Sequence, residues 1–72
     1  MSATTEKKLA PHQQRVVDEH TELKSKAKLL SHFIGVNPIF ETLDEKEQEL
    51  LREQNDVMWL YVEILGKRIA AF

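Results

Sequence analysis

Residues 50–72 read LLREQNDVMWLYVEILGKRIAAF, and this stretch decides the fold. Two overlapping seven-residue series run through it, Leu50, Val57, Ile64 and Leu51, Met58, Leu65, Phe72, while Trp59, Leu60, Tyr61 and Val62 occupy further faces. Apolar residues at that spacing mark a helix packed along another helix. The second half of this helix is apolar nearly all round, so it must be buried on more than one side. A single neighbouring helix cannot cover both sides, and the pattern therefore predicts self-association.

Upstream, Thr42 followed by Glu45 has the form of a capping box, and Asp44, Glu45 and Glu47 place negative charge where a helix dipole is positive. The second long helix is expected to start there. Before it, PIFETL (Pro38 to Leu43) is too short for a long helix and reads as a helical turn that drops Ile39 and Phe40 onto the open end of a hairpin as a plug. Gly35 is placed as a left-handed C′ residue closing a first helix, with a turn at 35–37 and Asn37 as the next N-cap.

The first helix spans Pro11 to Ile34. Val16, His20, Leu23, Ala27, Leu30 and Ile34 recur at alternating spacings of four and three, forming a seam for one partner helix. Proline suits its first turn, where the missing N–H costs nothing. Residues 1–10 are polar and aperiodic and read as a flexible arm. The expected architecture is all-α: an arm over 1–10, then one domain over 11–72 in which two long antiparallel helices flank a short helical turn.

A chain of 72 residues is one domain at most, and so short a domain usually needs a staple or a partner. There is no cysteine, and His12, His20 and His32 lack acidic or thiol neighbours at ligand spacing, so no disulfide or metal serves as staple. Association is left as the route to stability. The net charge of −2, from ten basic and twelve acidic residues interspersed along the chain, disfavours a surface for polymeric DNA or RNA. No apolar run approaches the roughly 18 residues needed to cross a bilayer, and MSATTEKKL lacks a signal-peptide core. A soluble protein is expected, without a membrane partner.

Catalysis needs a nucleophile beside a base, a carboxylate pair in a pocket or a metal, and none of these patterns is present. With only Gly35 and Gly66 there is no phosphate-cradling loop. An enzyme is not expected, and no cofactor is implied. His20, on the apolar seam, reads as a hydrogen-bonded interface histidine. Lys24 and Lys28 share a face while Lys26 is rotated about 200° from Lys24, so the three cannot serve one anion, and a solvated face paired with Glu22 and Asp18 is the plainer reading. Lys67 and Arg68 suit a helix C-terminus. Trp59 and Tyr61 are expected to fill the oligomer interface, and Phe33, Phe40 and Phe72 the core.

Several blocks in order, PHQQRVVDE, EL-x-x-K, NPIF-x-x-L with EQELLREQ, and M-x-x-Y-x-x-ILG-x-RI-x-x-F, span Pro11 to Phe72. Together they resemble the small phage proteins that sequester cyclic oligonucleotides to silence a bacterial immune system, the anti-CBASS type 2 sponges. The resemblance implies a compact helical homohexamer in the cytoplasm of the infected bacterium. It also implies binding without cleavage of cyclic dinucleotides such as cyclic GMP–AMP at one set of sites and cyclic trinucleotides such as cyclic triadenylate at another. The family's lysine in the EL-x-x-K block falls on Lys26, a phosphate contact. The aromatic before the QQRV block falls on His12, a departure from tyrosine that offers less stacking area. Arg15, one turn on, reaches the same phosphate. The arginine of the ILG-x-RI block falls on Arg68, assigned to the trinucleotide site, where three copies meet. The alternative expectation is a protein-interaction module, an adaptor or inhibitor of a host protein, with no small-molecule ligand.

Overall fold

A computed structural model describes residues 8–72. The first seven residues of the expected arm lie outside the described residues. The chain forms α1 (Pro11–Val36), α2 (Pro38–Thr42) and α3 (Glu45–Ala70), with no strand among the described residues. Helices α1 and α3 pack side by side as an antiparallel hairpin, as the two periodic stretches require.

The helix ends follow local chemistry, with two departures from expectation. Gly35 lies inside α1, which continues to Val36 and ends at Asn37 in an extended conformation, φ −84° and ψ 121°. The cause is Pro38: its ring excludes the α region for the residue before it, so the stop is set by the Asn-Pro pair and not by the glycine. Asn37 then opens α2, its side chain accepting from the Ile39 N–H at 2.8 Å. At the start of α3 the cap is Asp44, which accepts from the Glu47 N–H at 3.0 Å. Thr42 does not form the expected capping box. It sits within α2, and its hydroxyl donates to the Ile39 carbonyl. At α1 the N-cap is Ala10, which has no side-chain acceptor, and Gln13 reaches back to accept from the Ala10 N–H at 2.9 Å, half of a capping box.

The core is thin. Val16, Ala27, Phe40, Val62 and Leu65 are the buried apolar residues, while Leu23, Leu30, Ile34, Leu51, Met58 and Ile69 are half-buried along the seam. Phe40 closes the connected end of the hairpin, 3 % exposed, edge-on to Phe33 at 6.0 Å with the Arg52 guanidinium 5.1 Å from its ring centre. Only half of the expected plug forms, since the neighbouring Ile39 is 58 % exposed. In a helix of five residues, adjacent side chains point about 100° apart, so one enters the core and the next leaves it.

Polar groups set the register between the helices. Asn55 donates to the Ala27 carbonyl at 3.2 Å and accepts from the Ser31 hydroxyl at 3.0 Å, and that hydroxyl accepts from the Trp59 indole N–H at 2.9 Å. Trp59 thus takes part in the contact between the two long helices of the hairpin. His20 packs over Gly66, its Nε2 3.6 Å from where a Cβ would stand, and no hydrogen bond to it is found among the described residues.

The result is a rod of 54 × 20 × 15 Å with a radius of gyration of 16.6 Å. A compact chain of this length would have about 11 Å. A two-helix rod cannot enclose the apolar residues of α3, and Leu50, Val57, Leu60, Tyr61 and Ile64 stand 42–59 % exposed. At about 100° per residue these five lie within one arc of about 100°, centred roughly 120° around the helix from the arc that carries Met58, Val62, Leu65 and Ile69 against α1. The two apolar faces inferred for this helix are therefore distinct, and the hairpin covers one of them.

Candidate functional site

The candidate binding residues lie on α1 and α3, whose phases fix where they point. On α1, His12, Arg15, Glu19 and Lys26 fall within an arc of about 60°. Glu19 identifies which flank this is, because its carboxylate accepts a hydrogen bond from the Tyr61 hydroxyl of α3. Tyr61 and Arg68, seven residues apart, share one phase on α3. All four candidates, His12, Arg15, Lys26 and Arg68, consequently occupy the same long side of the hairpin. The Ser31, Asn55 and Trp59 network marks the other side, where the phases place Lys24 and Lys28.

Along the rod they separate into two groups. Fourteen residues divide His12 from Lys26, about 21 Å at the helical rise, and eleven divide Arg15 from Lys26, about 16 Å. Those gaps exceed what two side chains can bridge to one phosphate. The antiparallel pairing brings the start of α1 beside the end of α3, so Arg68 lies at the same end as His12 and Arg15. The hairpin thus gathers His12, Arg15 and Arg68, and leaves Lys26 near mid-length. This division differs from the family-derived one, which joined Lys26 to His12 and Arg15 and set Arg68 apart. Within one protomer the two sets cannot be assembled as assigned.

All four candidate side chains are exposed. Among the described residues the one ion pair within 4.0 Å joins Lys67 to Glu63, at 3.8 Å on the surface of α3. Lys24, Lys26 and Lys28 have no carboxylate at that distance, so the expected pairing with Glu22 and Asp18 does not form. Asp18 instead accepts from the Gln14 side chain at 3.0 Å. Among the described residues His12, Arg15, Lys26 and Arg68 have no ion-pair partner, and each carries N–H donors suited to an anion.

Tyr61 also lies on this side. It is 42 % exposed, its hydroxyl tied across the hairpin to Glu19. That hydrogen bond is the main cause raising its pKa above the ordinary 10.0, joined by desolvation and the Glu19 charge and opposed by the Arg68 guanidinium. The pairing spans 42 positions of sequence, and only the register of the hairpin reveals it. Below it, Leu50, Glu53, Gln54, Val57 and Met58 line an open concavity of about 420 Å³ on α3. No group of three or more potential metal ligands occurs among the described residues. No described helix is long and apolar enough to cross a membrane.

Comparison with known proteins yields one relationship. No curated protein and no solved structure matches the chain. The profile of one family, Sequestin, matches residues 10–71, which takes in both long helices, the α2 turn and all four candidate residues. The chain belongs to the Sequestin family, whose name denotes a sequestering role.

Proposed function

We propose that the protein is a non-catalytic sponge for cyclic oligonucleotides. It holds cyclic dinucleotides such as cyclic GMP–AMP through His12, Arg15 and Lys26 and cyclic trinucleotides such as cyclic triadenylate through Arg68. In the infected bacterial cytoplasm this withdraws the messengers of CBASS antiphage signalling. The carrying observation is that three exposed cations, Arg15, Lys26 and Arg68, with no ion pair among the described residues, share one side with His12 on a rod that cannot bring them to a single anion. A two-fold arrangement that sets the Lys26 of one copy beside the His12 and Arg15 of the other removes the obstacle, and the same contact then occurs twice.

The exposed arc of Leu50, Val57, Leu60 and Ile64 on α3 supports the same reading. Its burial between copies supplies the hydrophobic free energy that the thin hairpin core lacks, and a closed hexamer leaves little of it in water. Cyclic oligonucleotides match such an assembly in kind: they are polyanions with two or three repeating units, and symmetric interfaces offer the same residues two or three times. Arginine and lysine hold phosphate by charge-assisted hydrogen bonds, and affinity rather than reaction is the output.

Titration calorimetry with cyclic GMP–AMP and cyclic triadenylate tests the proposal. Binding of at least one ligand at micromolar concentration, with the ligand recovered intact, is the expected result. Lys26→Ala is expected to abolish dinucleotide binding and spare the trinucleotide. Absence of binding by both ligands, in a protein that sediments as a monomer or dimer, would favour a protein-interaction module using the α3 arc.

A further inference from the structure

We infer that Tyr61, held in place by Glu19, is a base-stacking residue of the site in which Arg68 holds phosphate. This assignment rests on the sponge reading above and deepens it by naming what grips the base.

Tyr61 is unusual among the aromatic residues of the chain. Phe40 is buried, Phe33 and Phe72 are half-buried, and Trp59 is tied into the Ser31 network between the helices. Tyr61 alone among them stands exposed, at 42 %, and its hydroxyl is nonetheless fixed to the carboxylate of another helix. Packing does not require that bond, because the ring is not enclosed by the hairpin. Its effect is to limit the rotation of an exposed aromatic surface, and a ring ordered before binding loses less conformational freedom when a base stacks on it.

The neighbouring charge fits a nucleotide. Arg68 lies seven residues along α3 on the same face, about 10 Å in rise. Helical side chains lean toward the N-terminus of their helix, so the Arg68 guanidinium leans toward Tyr61. Its charge opposes the upward shift of the Tyr61 hydroxyl, which places the two within electrostatic range. A cation and a fixed aromatic plane at that spacing match a nucleotide whose phosphate lies on one and whose base lies on the other. Glu19 is a positioning residue: it accepts a hydrogen bond from the Tyr61 hydroxyl and does not contact the ligand.

Calorimetry on the full-length protein with cyclic triadenylate and cyclic GMP–AMP tests the assignment, with sedimentation of every variant. Tyr61→Leu is expected to weaken triadenylate binding roughly 5- to 150-fold, the range of one base stack, and to leave GMP–AMP binding within twofold. Tyr61→Phe and Glu19→Ala should each give the same smaller loss, and the double variant no more than either alone, since both remove one hydrogen bond. Glu19→Gln, which still accepts from the hydroxyl, should restore most of the affinity. Should Tyr61→Leu alter the assembly, Tyr61→Phe decides: a loss matching that of Glu19→Ala supports the assignment, and affinity within twofold of the parent overturns it. An assembled Tyr61→Leu protein that binds triadenylate as the parent does also overturns it, while the sponge reading stands. A parent protein that binds neither ligand overturns both.

Discussion

The indole N–H of Trp59 donates to the hydroxyl of Ser31 at 2.9 Å, and that hydroxyl donates in turn to the side-chain oxygen of Asn55 at 3.0 Å. Ser31→Ala removes the central member and leaves a donor and an acceptor without partners between two helices. The site is half-buried, so water relieves part of the loss, and the expected cost is about 1–2 kcal/mol. Urea denaturation at one fixed protein concentration measures it, since association shifts apparent stability by mass action.

Phe40 is the most consequential apolar residue at the turn. Phe40→Ala is expected to destabilise by about 3–5 kcal/mol, a large share of what so thin a core provides, and Phe40→Leu by clearly less. Arg52→Ala, which removes the cation over the ring, costs about 0.5–1 kcal/mol. Thermal unfolding by circular dichroism ranks the three.

Gly35 offers a change of opposite sign. It is helical, and nothing lies within 4 Å of a Cβ built there, so Gly35→Ala is expected to stabilise by about 1 kcal/mol. A left-handed cap at this position would instead make the alanine unfavourable, so the sign of the change in denaturation midpoint separates the two conformations.

Tyr61 is the single tyrosine of the chain, and its ionisation can be followed by absorbance. The transition is expected above the ordinary value of 10.0, and Glu19→Ala should bring it down toward that value. Because the folded pKa is raised, the associated stability is fully present below the unfolded value and is lost as pH rises through the folded one. The stability difference between the parent and Glu19→Ala should therefore be largest below pH 10.0 and shrink as pH rises through the raised value, because only the parent loses stability through this group.

Much of this was legible in the sequence, for reasons that differ by element. The two long helices follow from apolar spacing, a signal repeated over many turns. Their ends were harder to place because neighbouring residues compete for the same role. Gly35 is a good C′ residue in isolation, but Pro38 dictates the conformation of Asn37 and moves the stop past it. Thr42 and Asp44 both suit an N-cap, and α2 takes the former into its own last turn.

The site was less legible because it depends on contacts between helices. Lys26, His12 and Arg15 share a face by simple phase, but the conjunction of Arg68 with His12 and Arg15 requires the antiparallel register. So does the bond between Tyr61 and Glu19. Trp59 and Tyr61, two positions apart, were read alike from composition. Their phases differ by about 200°, and they serve opposite sides of the hairpin.

The association of hairpins also has a local test. Ile64→Asp places a charge in the exposed apolar arc and outside the hairpin seam, so it should break the assembly while helix content at high protein concentration changes little. Sedimentation and circular dichroism on the same sample read both quantities.

The central claim is that assembled copies hold cyclic oligonucleotides without cleaving them. Native mass spectrometry of the protein with a mixture of cyclic GMP–AMP and cyclic triadenylate tests it most directly, because it reports subunit number, ligand count and ligand mass together. The account predicts a hexamer that carries both ligands at once with their masses unchanged. A monomer or dimer with no ligand bound, or a ligand recovered at a cleaved mass, would contradict it.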